Sequence, residues 1–213
     1  MDVLEAIKTR RSIRRFRPHR IPQDVLEKIF DAVGDAPSAG NFQPWRIILV
    51  ANKEKKEIIA KAAFDQFWIA DAPLVLVFCS NAGNMKADFG KRTELYRTQS
   101  ASAAIQNLML AAHSFGIASC WIGDFAEPKI RKAFQIPDGT SIDAIIPLGY
   151  PAEKPKQKSR LEVTDYVFAE KWDEKGRYAV VPLHETLTAL HERLKELGTQ
   201  LKSKGRPSAR KTK

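Results

Sequence analysis

Four arginines and a serine fall within six residues at Arg10-Arg11-Ser12-Ile13-Arg14-Arg15. Arginine presents a rigid, permanently charged fork of donors that suits an oxyanion bidentately. A serine hydroxyl can add a neutral donor to the same anion. If the run is extended, Arg10, Ser12 and Arg14 point to one side and Arg11, Ile13 and Arg15 to the other. Two guanidiniums and a hydroxyl on one face are enough to hold a phosphate. The same run also reads as a solvated basic patch or a nucleic-acid contact, because short basic runs are common.

Other chemistry-bearing residues are sparse. The histidines His19, His113, His184 and His191 are scattered. His113 lies between Ala112 and Ser114 of a helical pattern, which favours packing over a role as a base. Cys79 and Cys120 sit in apolar runs and read as core thiols, and two positions do not define a disulfide. Neither has metal-ligand spacing around it. No hydrolytic constellation emerges, as expected where a cofactor carries the reaction.

The 213 residues suit one domain with a sizeable core and a tail, and 44% hydrophobic with 28% charged residues is ordinary for a soluble protein. The net charge is +10. The last twelve residues hold six of the positive charges (Lys202, Lys204, Arg206, Arg210, Lys211, Lys213) and no acid. The body is therefore only mildly basic. The N-terminus has neither a basic nor an apolar leader region and no apolar run reaches membrane length, so the expected location is cytoplasmic, with no membrane partner.

The elements that must position these residues follow in order. Asp2–Lys8 is amphipathic, with Val3, Ala6 and Ile7 on one face. A helix is predicted from about Gln23 to Val33, its stripe formed by Val25, Leu26, Ile29, Phe30 and Val33. Ala36–Trp45, with two prolines, a glycine, a serine and an asparagine, is a shaped loop. Arg46–Ala51 reads as a strand covered on both faces. Lys53–Phe64 is a helix, and Ala72–Cys79 a second strand. Asn81–Arg92 is a polar, irregular excursion, followed by a long helix from about Glu94 to Phe115. Ser119–Gly123 is a third strand, Pro128–Phe134 a short helix and Ile142–Leu148 a fourth strand. Ala152–Ser159 is extended. A late amphipathic helix spans Glu185–Leu201, and Ser203–Lys213 is too polar to pack. This order favours an α+β layer. No glycine-rich strand-to-helix turn of dinucleotide type is present.

Five motifs in sequence resemble the nitroreductase family of flavin enzymes. They are the Arg10–Arg14 run, Pro37-Ser38-x-x-Asn41-x-Gln43-Pro44-Trp45, Trp121-Ile122-Gly123-Asp124-Phe125, Pro147-Leu148-Gly149-Tyr150-Pro151 and Lys158-Ser159-Arg160. The match runs from about residue 1 to 170. A C-terminal extension (171–202) and a basic tail (203–213) lie beyond it. The resemblance implies an α+β, nitroreductase-like mixed sheet flanked by helices, working as an intertwined homodimer with FMN at the interface. It implies that Arg10, Ser12 and Arg14 contact the phosphate and ribityl chain, with Arg11 nearby and Lys158 and Arg160 approaching the same phosphate. Pro37, Ser38 and Asn41 would lie beside the ring, supplied by the partner subunit. Ile122 and Gly123 would sit near its reactive edge, where the Gly123 N–H reaches N5.

One departure stands out. Some family members carry an asparagine and a lysine before the second strand, where this chain reads Asp65-Gln66-Phe67-Trp68-Ile69. Gln66 would replace the amide, and the lysine is missing. The implied activity is transfer of hydride from NADH or NADPH through FMN to a nitroaromatic, a quinone or another small electrophile. Phe89 and Tyr96, on the excursion, are candidate substrate contacts. Two rivals remain: reductive dehalogenation, flavin destruction or unsaturated-bond reduction on the same fold, and nucleic-acid binding through the tail. The body carries no nucleic-acid motif, which counts against the latter.

Overall fold

A computed structural model describes residues 1–168 together with 172, 191–193 and 195–196. Two compact units divide the chain between Gln157 and Lys158.

In the first unit the elements follow the order α1 (Val3–Thr9), α2 (Gln23–Gly34), β1 (Trp45–Val50), α3 (Lys53–Ala62), α4 (Trp68–Asp71), β2 (Leu74–Asn81), α5 (Met85–Phe89), α6 (Thr93–Ser114), β3 (Ala118–Ser119), α7 (Glu127–Phe134) and β4 (Thr140–Gly149). The strands form one antiparallel sheet in the order β1-β2-β4-β3. Among the described residues, parallel pairing is confined to a single bridge between Ser12 and Ser119.

Strand β2 explains the layering. Side chains alternate across a strand, so Val75, Val77 and Cys79 face one core with Ile59, Ile69, Ile130 and Ile145. Leu74, Leu76 and Phe78 face the other, with Ile29, Val33, Ala104, Ile105 and Leu108. Helices α3 and α7 thus cover one side, and α2 and α6 the other. The small residues Ala101, Ala104 and Ala112 are fully buried and let α6 lie close to the sheet. Its end is closed by Gly116 in the left-handed region (φ 74°), with Ile117 N–H bonded to the Ala112 carbonyl at 2.9 Å.

A bulge interrupts the β2–β4 ladder: Phe78 opposes Ala144 and Cys79 opposes Ile142, leaving Asp143 without an opposite residue. Bulges re-aim side chains. The Asp143 carboxylate meets Arg97 of α6 at 3.2 Å, and Arg97 also donates to the Ser80 hydroxyl.

Several sequence expectations need correction. Strand β1 lies at the sheet edge; Ile48 packs on one core and Ile47 on the other, so both faces are covered in part, while Leu49 is 54% exposed. The third strand shortens to Ala118–Ser119, and Ile122 makes just an isolated bridge to Ile145. The Asn81–Arg92 excursion is not irregular, since it contains α5 and a 3-10 turn at Gly90–Arg92. On α1 only Ala6 is buried, while Val3 and Ile7 are exposed.

In the second unit Lys158 and Arg160 are exposed, and a 3-10 turn spans Val163–Asp165. The late helix is helical at 191–193 and 195–196; the rest of it, and the 203–213 tail, lie outside the described residues. No helix among the described residues is long and apolar enough to cross a membrane.

Candidate functional site

The arginine run begins where α1 ends. Asp2 caps that helix, its carboxylate accepting from Glu5 N–H at 2.9 Å. The chain then runs extended along the sheet end. Ile13 N–H bonds the Ser119 carbonyl (3.1 Å), Arg17 N–H the Tyr150 carbonyl (2.8 Å), and Ala152 N–H the Arg15 carbonyl (2.9 Å). Buried Ile13 and Phe16 pin the segment to the core. The sequence offered no sign of Glu153, whose Oε1 accepts from both Arg14 N–H (2.6 Å) and Arg15 N–H (3.1 Å) across 139 and 138 residues.

Anchored this way, the run leaves Ser12, Arg14 and Arg15 exposed and Arg10 and Arg11 half-buried. Arg11 donates to the Lys8 and Arg10 carbonyls, both at 2.7 Å. The Arg14 guanidinium lies 5.8 Å from the Trp68 ring centre, a cation–π distance. The buried Cys120 thiol marks where these groups meet. Burial raises its pKa, while Arg14, a hydrogen bond from Ser12 and Arg10 pull it back. Arg10, Ser12 and Arg14 are thus all near enough to act on the Cys120 thiol. Their donor chemistry fits the −1.5 to −2 charge of a phosphomonoester at neutral pH. Ile122 and Gly123 follow directly along the chain, Ile122 held by paired 3.0 Å bonds with Ile145 and Gly123 exposed.

Gln66 sits in the turn before α4, after two left-handed residues, Phe64 and Asp65. Its side-chain Nε2 donates to the Ala63 carbonyl at 2.9 Å, so the amide already serves the turn. Trp68, which sequence reasoning missed, follows it and meets Arg14.

Pro37, Ser38 and Asn41 lie elsewhere. Their loop turns through left-handed Gly40, Asn41 and Gln43. Ser38 Oγ accepts from Gln43 N–H at 3.1 Å, and Asn41 Oδ1 from Gln43 Nε2 at 2.9 Å. Ala39 N–H reaches Ser100 Oγ on α6 at 3.1 Å. The arginine run starts at the other end of that helix, where Thr9 Oγ1 is 2.8 Å from His113 Nε2. From Ser100 to His113 an α-helix advances about 20 Å. One protomer thus brings Arg10, Arg11, Ser12, Arg14, Ile122 and Gly123 together and keeps Pro37, Ser38 and Asn41 apart from them. Phe89 and Tyr96 meet edge-on at 5.1 Å, near that loop. Lys158 and Arg160 belong to the second unit.

Two cavities flank these groups. One of about 460 Å³ is lined by Thr9, Arg10, Arg11, His113 and Ser119, among others. Another of about 500 Å³ lies behind Phe42, Arg46 and Asn81; the Asn81 amide there is already bonded to Thr140 and Gly83.

His113 carries a pH signature. The Thr9 hydroxyl donates to the Glu5 carbonyl at 2.6 Å, so its oxygen accepts from His113 Nε2. Burial first, then Arg10 and Arg11, lower the His113 pKa below its ordinary 6.5. Between the lowered value and 6.5 the unfolded chain binds the proton more readily, so stability falls as pH drops through that window. Denaturant titrations from pH 7.5 to 5 should show this loss, and His113→Gln should remove it; an unchanged pH profile in the variant would mean that His113 is not its source.

The chain matches the Nitroreductase family model over residues 7–87 and 62–150. It is 38% identical to a provisionally named NADH dehydrogenase/NAD(P)H nitroreductase of Methanothermobacter thermautotrophicus, across 81% of this chain and 88% of that one. An FMN reductase [NAD(P)H] of Bacillus subtilis is 29% identical, across 75% and 70% of the two chains. Among solved structures, nitroreductase A from Vibrio parahaemolyticus superposes with a TM-score of 0.75 at 27% identity, covering 82% of this chain and 78% of that one. The chain belongs to the nitroreductase family.

Proposed function

We infer that the chain is an FMN-dependent, NAD(P)H-using oxidoreductase that works as a homodimer in the cytoplasm. When bound, FMN supplies the redox chemistry, taking reducing equivalents from NADH or NADPH and delivering them to a nitroaromatic, a quinone or a similar small electrophile. The chain's own residues bind and orient. Arg10, Ser12 and Arg14 hold the phosphate end, with Arg11 behind them and Lys158 and Arg160 adding charge. Glu153 fixes the strip by holding two of its amides, and Trp68 directs the Arg14 guanidinium. Ile122 and Gly123 border the reactive edge, and Gln66 stiffens the turn beside it.

The observation that carries the dimer is the separation of about 20 Å along α6 between the arginine strip and the Pro37–Asn41 loop. A second copy supplying Pro37, Ser38 and Asn41 completes the site. The exposed apolar face of α1, with Val3 65%, Leu4 74% and Ile7 54% exposed, suits burial against that copy. The site is carried by residues 1–170, with 171–202 and the basic 203–213 tail appended to it.

The test is direct. Purified protein should be yellow, release FMN on denaturation, sediment as a dimer and oxidise NADH or NADPH when given a quinone or a nitro compound. Release of FAD, or no flavin uptake after reconstitution with excess FMN, would refute the assignment.

A further inference from the structure

We propose that Phe89 and Tyr96 are positioning residues: with Phe42 they form an aromatic row that holds the Gly40–Gln43 turn in the shape that presents Ser38 and Asn41 to the cofactor. This rests on the FMN reading above.

The turn is conformationally disfavoured. Gly40, Asn41 and Gln43 have φ of 55°, 57° and 48°. Only glycine enters that region freely, and side-chain-bearing residues stay there when their surroundings over-determine them. The internal bonds of the turn, Gln43 to Ser38 and Gln43 to Asn41, close it on itself without tying it to the fold.

The ties to the fold converge on the excursion and the start of α6. The Phe42 ring meets Phe89 edge-on at 5.7 Å and 70°, and Phe89 meets Tyr96 at 5.1 Å and 88°. Both geometries are those that aromatic quadrupoles favour. The Arg92 guanidinium lies 5.3 Å from the Tyr96 ring centre, closing the row. Beside it, the Ser100 hydroxyl donates to the Tyr96 carbonyl at 2.7 Å and accepts from Ala39 N–H at 3.1 Å. Tyr96 and Ser100 are four residues apart and so share one face of α6.

Gly40 shows how tightly the rings press on the turn. A Cβ there would stand 2.9 Å from Phe42 Cε2 and 3.2 Å from Phe89 Cζ. Space and backbone angle both require glycine at this position. Phe89 and Tyr96 are themselves half-buried, each in contact with a neighbouring ring. They act on the site through the turn rather than by touching substrate.

The experiment titrates FMN into apo-protein of the wild type, Phe89→Ala, Phe89→Tyr, Tyr96→Leu, Tyr96→Phe and Gly40→Ala. Far-UV circular dichroism serves as the folding control, and the visible dichroism of bound FMN as the reporter of its surroundings. Phe89→Ala and Tyr96→Leu should weaken FMN binding by roughly 5- to 100-fold, the size of one or two lost ring pairs, and should change the visible dichroism. Phe89→Tyr and Tyr96→Phe keep the rings and should restore both. Gly40→Ala, which alters no ring, should weaken binding in the same direction. At saturating FMN the acceptor KM should stay near the wild-type value. Unchanged FMN affinity and dichroism together with a several-fold rise in acceptor KM would overturn the proposal and make the two rings substrate contacts. Failure of the wild type itself to bind FMN would overturn the functional reading as well.

Discussion

Alanine in place of Arg14 should lower the affinity for FMN by about 10- to 150-fold, the equivalent of one charge-assisted hydrogen bond of roughly 1.5–3 kcal/mol. The fold survives this change. The strip is held by main-chain bonds from Ile13 and Arg17, by Glu153 accepting from the Arg14 and Arg15 amides, and by the buried side chains of Ile13 and Phe16. None of these uses the guanidinium. Lysine should rescue in part, since it keeps the charge but loses both the fork and the flat face that lies over Trp68. Arg15→Ala is the control, because its side chain is exposed and lies on the opposite side of an extended run. Titration of apo-protein with FMN measures all three. Equal affinities for wild type and Arg14→Ala would place the phosphate elsewhere.

Arg97→Met should be the most destabilising of the single substitutions considered, at a cost of roughly 3–5 kcal/mol. The Arg97 and Asp143 side chains are only 6% and 8% exposed. Removing the cation strands a carboxylate between β4 and α6 whose second oxygen already has no hydrogen-bond partner among the described residues. Burial raises the Asp143 pKa, against the pull of Ser80 and Arg97. A carboxyl whose folded pKa lies above its unfolded value is favourable at low pH and loses that contribution as pH rises through the folded value. Without Arg97 the folded value climbs further, so the loss of stability should be greater at pH 8 than at pH 5. Replacing both partners, Arg97→Met with Asp143→Leu, should recover much of it. Urea unfolding at the two pH values tests the sign: an equal loss at both would mean that Asp143 does not titrate in the variant.

The sequence by itself determined most of the local elements and the supply of anion-binding donors. Helical periodicity placed α2 within a few residues, since an amphipathic stripe must face a core whatever the core contains, and a run of small residues placed the long α6. The Arg-Arg-Ser-x-Arg run offered contiguous donors of the kind a phosphate needs. Gly116 marked the end of α6 for a backbone reason that is purely local.

Tertiary structure alone decided how these parts meet. Glu153 clamps the arginine strip from 139 residues away, and no local pattern encodes such a pairing. Strand β1 has the apolar run of a central strand but lies at the sheet edge, a placement fixed by strand order rather than composition. The Gln66 amide, which the sequence offers in place of the family's asparagine, gives one N–H to the Ala63 carbonyl because the turn before α4 folds back on α3. Phe89 and Tyr96, candidate substrate contacts from the sequence, meet edge-on beside the Gly40–Gln43 turn, where Phe89 also meets Phe42. The arginine run and the Pro37–Asn41 loop are neighbours in the sequence yet meet α6 at points about 20 Å apart. Helix length sets that distance, and sequence order carries no trace of it.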